Sequence, residues 1–338
     1  MLRIDAHIHH LGDHPDDVAQ LRELGWCLLN VCIPRPDPSW RRDKEIYRDL
    51  ARRQPSQFAW CGGFDPPCRE DFEDPDRWIE GTLREIDADL ASGAVAIKIW
   101  KCVGMEVRKP DGSYLTVDDP ILEPIFEHMA AADTTLLTHI GEPRACWRPL
   151  SEDGPHTDYY RRHPEWHMVD RPDMPSHEAL VASRDRVVER HPGLRCVGAH
   201  LASLEFDVAE VAARLDRYPN FAVDTSSRLL DLAMQDRVTV CEFFRRYRDR
   251  ILFGTDIVQR RASSSLDADE RRARLDAERR RRQAELEFLS GRKPVTIRGR
   301  RVEGLGLGDE LVEELCTVNP RRWYPRLAAG SARHGGVP

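Results

Sequence analysis

Asp5-Ala6-His7-Ile8-His9 closes the first apolar run of the chain and carries two histidines one residue apart. In an extended strand, residues i and i+2 share a face, so His7 and His9 project together. If that face lines the interior of a barrel, two imidazoles converge at its mouth, as a transition metal ion needs. A nucleotide-binding sheet would place a Gly-rich turn after its first strand; this chain has His7-Ile8-His9-His10 there.

Along the rest of the chain, short β-rich runs alternate with longer amphipathic ones. Strands are predicted at 2–7, 27–33, 58–64, 95–100, 134–140, 194–200, 221–224 and 251–255. Helical patterns fall between them, at 76–92, 121–132, 176–191, 205–218 and 230–247. Asp119-Pro120, Pro175-Ser176 and Pro192-Gly193 act as breakers or caps. Alternation of this kind implies a parallel sheet with right-handed crossovers, and eight strands are the number that closes a (β/α)8 TIM barrel. An open doubly wound sheet would read much the same by count. The expected architecture is a single barrel domain over 1–338 with long loops after strands 5 and 8.

The other informative residues also end predicted strands. The fifth ends Leu136-Leu137-Thr138-His139, the sixth Gly198-Ala199-His200 and the eighth Phe253-Gly254-Thr255-Asp256. Taken singly, a histidine there reads as a hydrogen-bonded structural residue, and Asp256 as a helix cap. Taken together, four metal-capable strand ends on one rim of one barrel argue for a site.

Bulk properties exclude several classes. The formal charge of −7 is spread along the chain, with no basic stripe before residues 260–301, so nucleic acid is not expected as a partner. No apolar stretch approaches the roughly 18 residues of a membrane span. The N-terminus has no signal-peptide h-region, and a cytoplasmic location is expected. Nine cysteines are an odd number without framework spacing, and no CxxC pair offers a thiolate zinc site. Cys27, Cys32, Cys61, Cys102, Cys196 and Cys316 sit in apolar runs and read as reduced core residues.

Two segments exceed simple loops. Residues 144–175, rich in Trp, Tyr, His and Pro, follow the fifth strand and read as an active-site lid. Residues 260–301 hold an Arg-dense helical pattern over 271–287 and a hairpin-like Gly/Arg stretch. That helix reads as solvated, with i,i+4 charge pairs, or as packing on a neighbouring subunit. A homo-dimer or larger closed oligomer is expected.

These motifs, with the closing Asn319-Pro320-Arg321-Arg322-Trp323 and the run Thr138-His139-Ile140-Gly141-Glu142-Pro143, resemble the amidohydrolase superfamily. The resemblance points to its amidohydrolase-related TIM-barrel branch, which includes decarboxylases and lactonases, and it covers nearly the whole chain. It implies one divalent metal held by His7, His9, His139 and Asp256, with His200 off the metal as a polarising or proton-shuttling group. Zinc is favoured by ligand softness, with manganese and iron as the other candidates. Such an ion lowers the pKa of a water towards about 7, and Asp256 can take the proton and return it to the leaving group.

Lys98, one of five lysines, complicates the metal count. Alternation puts Ala96, Lys98 and Trp100 on one face and Ile97 and Ile99 on the other, so Lys98 should point inward. In binuclear relatives a carbamylated lysine on the fourth strand bridges two ions. The one-metal reading is preferred, with Lys98 an ammonium that holds a substrate anion; pairing with Asp5 or Asp65 is its structural alternative. Trp100, Glu142, Arg144 and Arg228 are the other expected substrate contacts, and the basic groups favour a small carboxylated substrate. The main functional expectation is hydrolysis of a small anionic amide, lactone or related acyl compound. The rivals are non-oxidative decarboxylation on the same site, and a catalytically inactive binding or assembly subunit.

Overall fold

A computed structural model describes residues 2–152 and 154–327. Met1, Asp153 and residues 328–338, which the expected domain and lid include, lie outside the described residues. Eight strands form one sheet: β1 (Arg3–Ile8), β2 (Trp26–Val31), β3 (Phe58–Gly63), β4 (Ile97–Ile99), β5 (Thr135–Thr138), β6 (Arg195–Gly198), β7 (Phe221–Asp224) and β8 (Ile251–Leu252). They pair in sequence order and all in parallel. The ends meet through backbone hydrogen bonds from Ala6 N to Phe253 O (2.9 Å), Asp256 N to His7 O (2.8 Å) and His9 N to Ile257 O (2.9 Å). The sheet is therefore a (β/α)8 barrel, and its seam joins the histidine strand to the segment that carries Asp256.

One local feature aims the histidines. Between Asp5↔Leu28 and Ile8↔Asn30 the register of β1 shifts, so three steps on β1 oppose two on β2. That is a β-bulge, which re-aims the side chains beyond it. Before it, Ile4 and Ala6 pack inside the barrel with Cys27, Leu29, Val31, Ala59 and Cys61. Asp5 points outward and accepts from Thr255 N (2.9 Å) and Thr255 Oγ1 (2.6 Å). After the bulge, His7 and His9 face the mouth.

The seam needs a glycine. A Cβ on Gly254 would lie 3.0 Å from His7 Cβ and 3.3 Å from Ser226 Cβ, so the eighth strand can approach the site only with hydrogen there. The opposite end of the barrel is plugged by Trp323 and Tyr324, which join the interior cluster. Asn319 Nδ2 donates to Arg248 O (2.6 Å) and Ile251 O (2.7 Å), and Trp323 Nε1 to Asp249 O (2.9 Å). The closing motif is thus the barrel floor, the face where TIM barrels hold stability rather than chemistry.

Two helical expectations need correction. The pattern over 230–247 is two helices, Leu229–Ala233 and Arg237–Arg246, because Asp236 caps the second by accepting from Thr239 N (2.8 Å). The Arg-dense helix runs over Ala268–Ser290 from a capping box of Asp267 and Glu270. It is not simply solvated. One face buries Glu278, Arg282 and Glu285 beside Leu275, Phe288 and Leu289. Glu278 meets His10 Nε2 (3.3 Å) and Gln259 Nε2 (2.6 Å), while Arg282 lies 3.6 Å from Asp5. The charges form a buried seam against the barrel, so the i,i+4 pair of Arg281 and Glu285 is part of an interior network. The hairpin-like stretch is a hairpin of β9 (Val295–Ile297) and β10 (Arg300–Val302). All the cysteines are free; Cys68 is exposed and the other eight are buried. Among the described residues no helix is long and apolar enough to cross a membrane.

Candidate metal centre at the barrel mouth

His7 is fully buried at the centre of the site. Its Nδ1 lies 2.8 Å from Asp224 Oδ2 at the end of β7. A carboxylate only accepts, so Nδ1 carries the proton and Nε2 keeps a lone pair. Lys98 points inward as expected, and its Nζ sits 3.2 Å from that Nε2. Neither Asp5 nor Asp65 pairs with Lys98: Asp5 is committed to Thr255, and Asp65 to Trp40 and Arg41. The Lys98 amine, whose pKa burial lowers, therefore stands at the atom that would ligate a metal.

Asp224 organises the floor of the site. Its Oδ1 accepts from His200 N (2.8 Å), Ser226 N (3.1 Å) and Ser226 Oγ. Burial would raise its pKa, but His7, His200 and Ser226 outweigh that and hold it well below the usual carboxylate range. Ser226 Oγ also lies 3.2 Å from His7 Nδ1 and 2.9 Å from His200 Nδ1. Ser226 is a site residue that no motif in the sequence announces. The small polar run Thr225-Ser226-Ser227 after a predicted strand was the available signal.

His200 sits on an unusual backbone. His200, Leu201, Ala202 and Ser203 have φ of 58°, 56°, 59° and 58°, a left-handed turn without glycine. Each such residue costs about 1–2 kcal/mol, and strain of this kind gathers at functional sites. Gly198 permits the turn, since a Cβ there would come 2.5 Å from Ala202 Cβ. His200 Nδ1 lies 2.9 Å from Ser226 O; a carbonyl only accepts, so Nδ1 is protonated and Nε2 bears the lone pair.

His9 Nε2 lies 3.4 Å from Asp256 Oδ1, and Ser227 Oγ donates to Asp256 Oδ2 at 2.8 Å. Asp256 itself has φ 53°. His139 stands beside His200 with ring centroids 4.4 Å apart. Burial lowers the pKa of His9, His139 and His200 alike, with further lowering of His139 by His200 and Lys98. All three imidazoles are therefore neutral near pH 7, the form that binds a metal.

Among the described residues, His7, His9 and Asp256 offer ligand atoms within 4.8 Å of one another, as do His7, His200 and Asp224. His139 belongs to neither tight group. Two buried nitrogens, His9 Nδ1 and His139 Nε2, have no hydrogen-bond partner. An orphaned imidazole nitrogen in a dry site carries a desolvation cost that a cation would remove. Asp224 and His200 Nδ1, by contrast, are already satisfied. The donor set fits a divalent ion.

The expected substrate contacts divide. Trp100 meets His139 edge-on at 6.4 Å and Trp166 at 5.9 Å, forming an aromatic wall. Lys101, unassigned from sequence, lies over the Trp166 ring at 3.7 Å and pairs with Glu142. Glu142 spends its second oxygen on Tyr160 (3.4 Å), so it holds Lys101 and the 144–175 segment together and bonds no imidazole of the site. Arg228 is buried, donates to Ser227 O (3.3 Å) and leaves Nε unpartnered. Arg144 turns away: its guanidinium stacks on Phe206 at 3.4 Å in a neighbouring cleft. Arg298, in the turn of the hairpin with φ 48°, reaches Ser227 Oγ from a stretch to which the sequence assigned no site residue.

Comparison with solved structures finds 2,6-dihydroxybenzoate decarboxylase from Rhizobium at TM-score 0.53 and 16% identity, covering 96% of this chain and 98% of that one. Dihydroxybenzoic acid decarboxylase from Polaromonas sp., solved with bound manganese and 2-nitroresorcinol, gives 0.52 and 14%, covering 96% of each chain. 4-Oxalomesaconate hydratase from Rhodopseudomonas palustris gives 0.50 and 13%, covering 95% of this chain and 83% of that one. At such identities the likeness is one of fold. Comparison with curated proteins finds no match. The amidohydrolase family profile matches residues 56–326, most of the chain, from β3 to beyond the barrel floor. With eight parallel strands closed around a donor set at their C-terminal rim, the chain belongs to the amidohydrolase family.

Proposed function

We propose that the protein is a metal-dependent hydrolase of a small anionic acyl compound, with the ion held by His7, His9, His139 and Asp256. The observation that carries this reading is the seam: the Asp256 N to His7 O bond (2.8 Å) places a carboxylate against His9 at the mouth. His139 completes the set through its orphaned Nε2. A bound divalent ion would supply Lewis-acid polarisation of an acyl oxygen and acidify water. Asp256 takes a proton from water and returns it to the leaving group. His200, off the ion, accepts or relays a proton at Nε2, since its Nδ1 is fixed by Ser226. Lys98 and Arg228 hold the substrate carboxylate, and the 144–175 segment acts as a lid through Trp166 and Tyr160.

The aromatic wall of Trp100 and Trp166 favours a second reading, non-oxidative decarboxylation of an aromatic acid, with Asp256 or His200 handing a proton to the ring carbon. The two decarboxylases above act on dihydroxybenzoates, which such a wall would suit. Metal-loaded protein should be offered lactones, N-acyl amino acids and dihydroxybenzoates. Acid release from acyl compounds supports hydrolysis; carbon dioxide release from the benzoates supports decarboxylation. Failure of both with metal bound would contradict the proposal.

A further inference from the structure

A second group of ligating side chains lies outside the site already described. His156, Glu205 and Asp231 offer atoms within 4.8 Å of one another, and none of them belongs to the mouth constellation. They come from three places: His156 precedes the short helix Thr157–Arg162 in the 144–175 segment, Glu205 follows the turn after β6, and Asp231 lies in Leu229–Ala233 after β7. Glu205 and Asp231 are 2% and 7% exposed, so two carboxylates share a nearly dry space.

Their partners do not balance them. Glu205 Oε1 accepts from Arg144 N (3.0 Å), and Asp231 Oδ1 meets His156 Nε2 (2.7 Å). Glu205 Oε2 and Asp231 Oδ2 are buried without any partner. No described lysine or arginine forms an ion pair with either side chain; burial favours the neutral form of His156 and, against the pull of Arg228, raises Glu205 to about 8. Two buried acidic oxygens without partners are costly, and such a pair is relieved either by keeping a proton, as Glu205 does without a cation, or by a cation that displaces it. The cleft beside them holds about 250 Å³, room for an ion and its waters.

We propose that His156, Glu205 and Asp231 form a second divalent-cation site that pins the 144–175 segment to the loops after β6 and β7. One imidazole and two carboxylates are a nitrogen–oxygen set suited to zinc or manganese, with open positions left for water. The ion's work is structural. It ties the proposed lid to the barrel and does not touch the substrate.

The test uses full-length protein stripped with a chelator, re-equilibrated with zinc chloride, desalted and analysed for zinc per chain. Wild type, His156→Gln, Asp231→Asn and Asp256→Asn are compared. Each of the first two variants should carry about one zinc fewer than wild type, and zinc should slow protease cleavage within 144–175 in wild type and Asp256→Asn but not in His156→Gln. Equal zinc in wild type, His156→Gln and Asp231→Asn overturns the site, as does cleavage indifferent to zinc in wild type. The mouth is tested separately: were it unable to bind, wild type would carry about one zinc, lost in His156→Gln and kept in Asp256→Asn. If His156→Gln does not fold, the wild-type cleavage comparison and Asp231→Asn still decide.

Discussion

Replacing Asp224 by asparagine changes one atom of a fully buried side chain, yet the geometry makes that atom consequential. The asparagine oxygen can keep the place of Oδ1, accepting from His200 N (2.8 Å) and Ser226 N (3.1 Å). Its amide nitrogen then faces His7 Nδ1, 2.8 Å away in wild type, and two donors confront each other. Relief requires His7 to move its proton to Nε2, the atom a metal ion would need. Loss of this charge-assisted hydrogen bond should cost about 1.5–3 kcal/mol of folding stability. Misorienting a ligating imidazole in this way should weaken metal binding by about 10–100-fold. Chelator-competition titrations with zinc, run beside urea denaturation of both proteins, measure the two effects. Zinc affinity within about twofold of wild type would refute the view that Asp224 fixes the His7 tautomer.

Three further outcomes follow from separate parts of the molecule. Burial pushes Glu285 from its ordinary 4.5 to about 7, against the opposing pull of Arg281. The folded chain thus keeps a proton that the unfolded chain releases, and stability falls as pH rises from about 4.5 to about 7. Glu285→Gln should flatten the fall in denaturation midpoint across that window, and parallel wild-type and variant curves would contradict it. Lys98→Met removes the amine 3.2 Å from His7 Nε2 that is proposed to hold the substrate carboxylate, so metal content should stay near one per mouth while KM for an anionic substrate rises; loss of mouth metal would favour a bridging lysine. Asn319→Ala strips two donors from buried carbonyls of the barrel floor and should cost about 2–4 kcal/mol in thermal unfolding without changing zinc affinity.

The fold was legible because barrel strands are short and apolar, and each expected run overlaps an observed strand. In the candidate site, placement was legible where alternation sufficed: His7 and His9 do share a face, and Lys98 does point inward. Asp5 escaped the same rule because the bulge inserts one residue between it and His7, and no glycine announces that shift. The left-handed turn at His200 was equally silent, being held by Asp224 and Ser226 from another strand. Contacts between distant segments carry no local pattern, which is why Glu142 was read as a substrate contact while it pairs with Lys101. The same holds for Arg298, which reaches Ser227 across the chain. The helix Ala268–Ser290 misled through composition, since its Arg/Glu face looks solvated until His10, Gln259 and Asp5 are placed against it.

The proposed function requires one divalent ion at the mouth, on residues drawn from both sides of the seam and from β5. Anomalous scattering from a crystal of zinc-loaded protein, collected above and below the zinc edge, tests it most directly. The expected result is a peak about 2.0–2.2 Å from nitrogens of His7, His9 and His139 and from an Asp256 oxygen, with no bond to His200. A zinc-loaded crystal with no peak there, or with a peak ligated by His200 and Asp224 in place of His139 and Asp256, would contradict it.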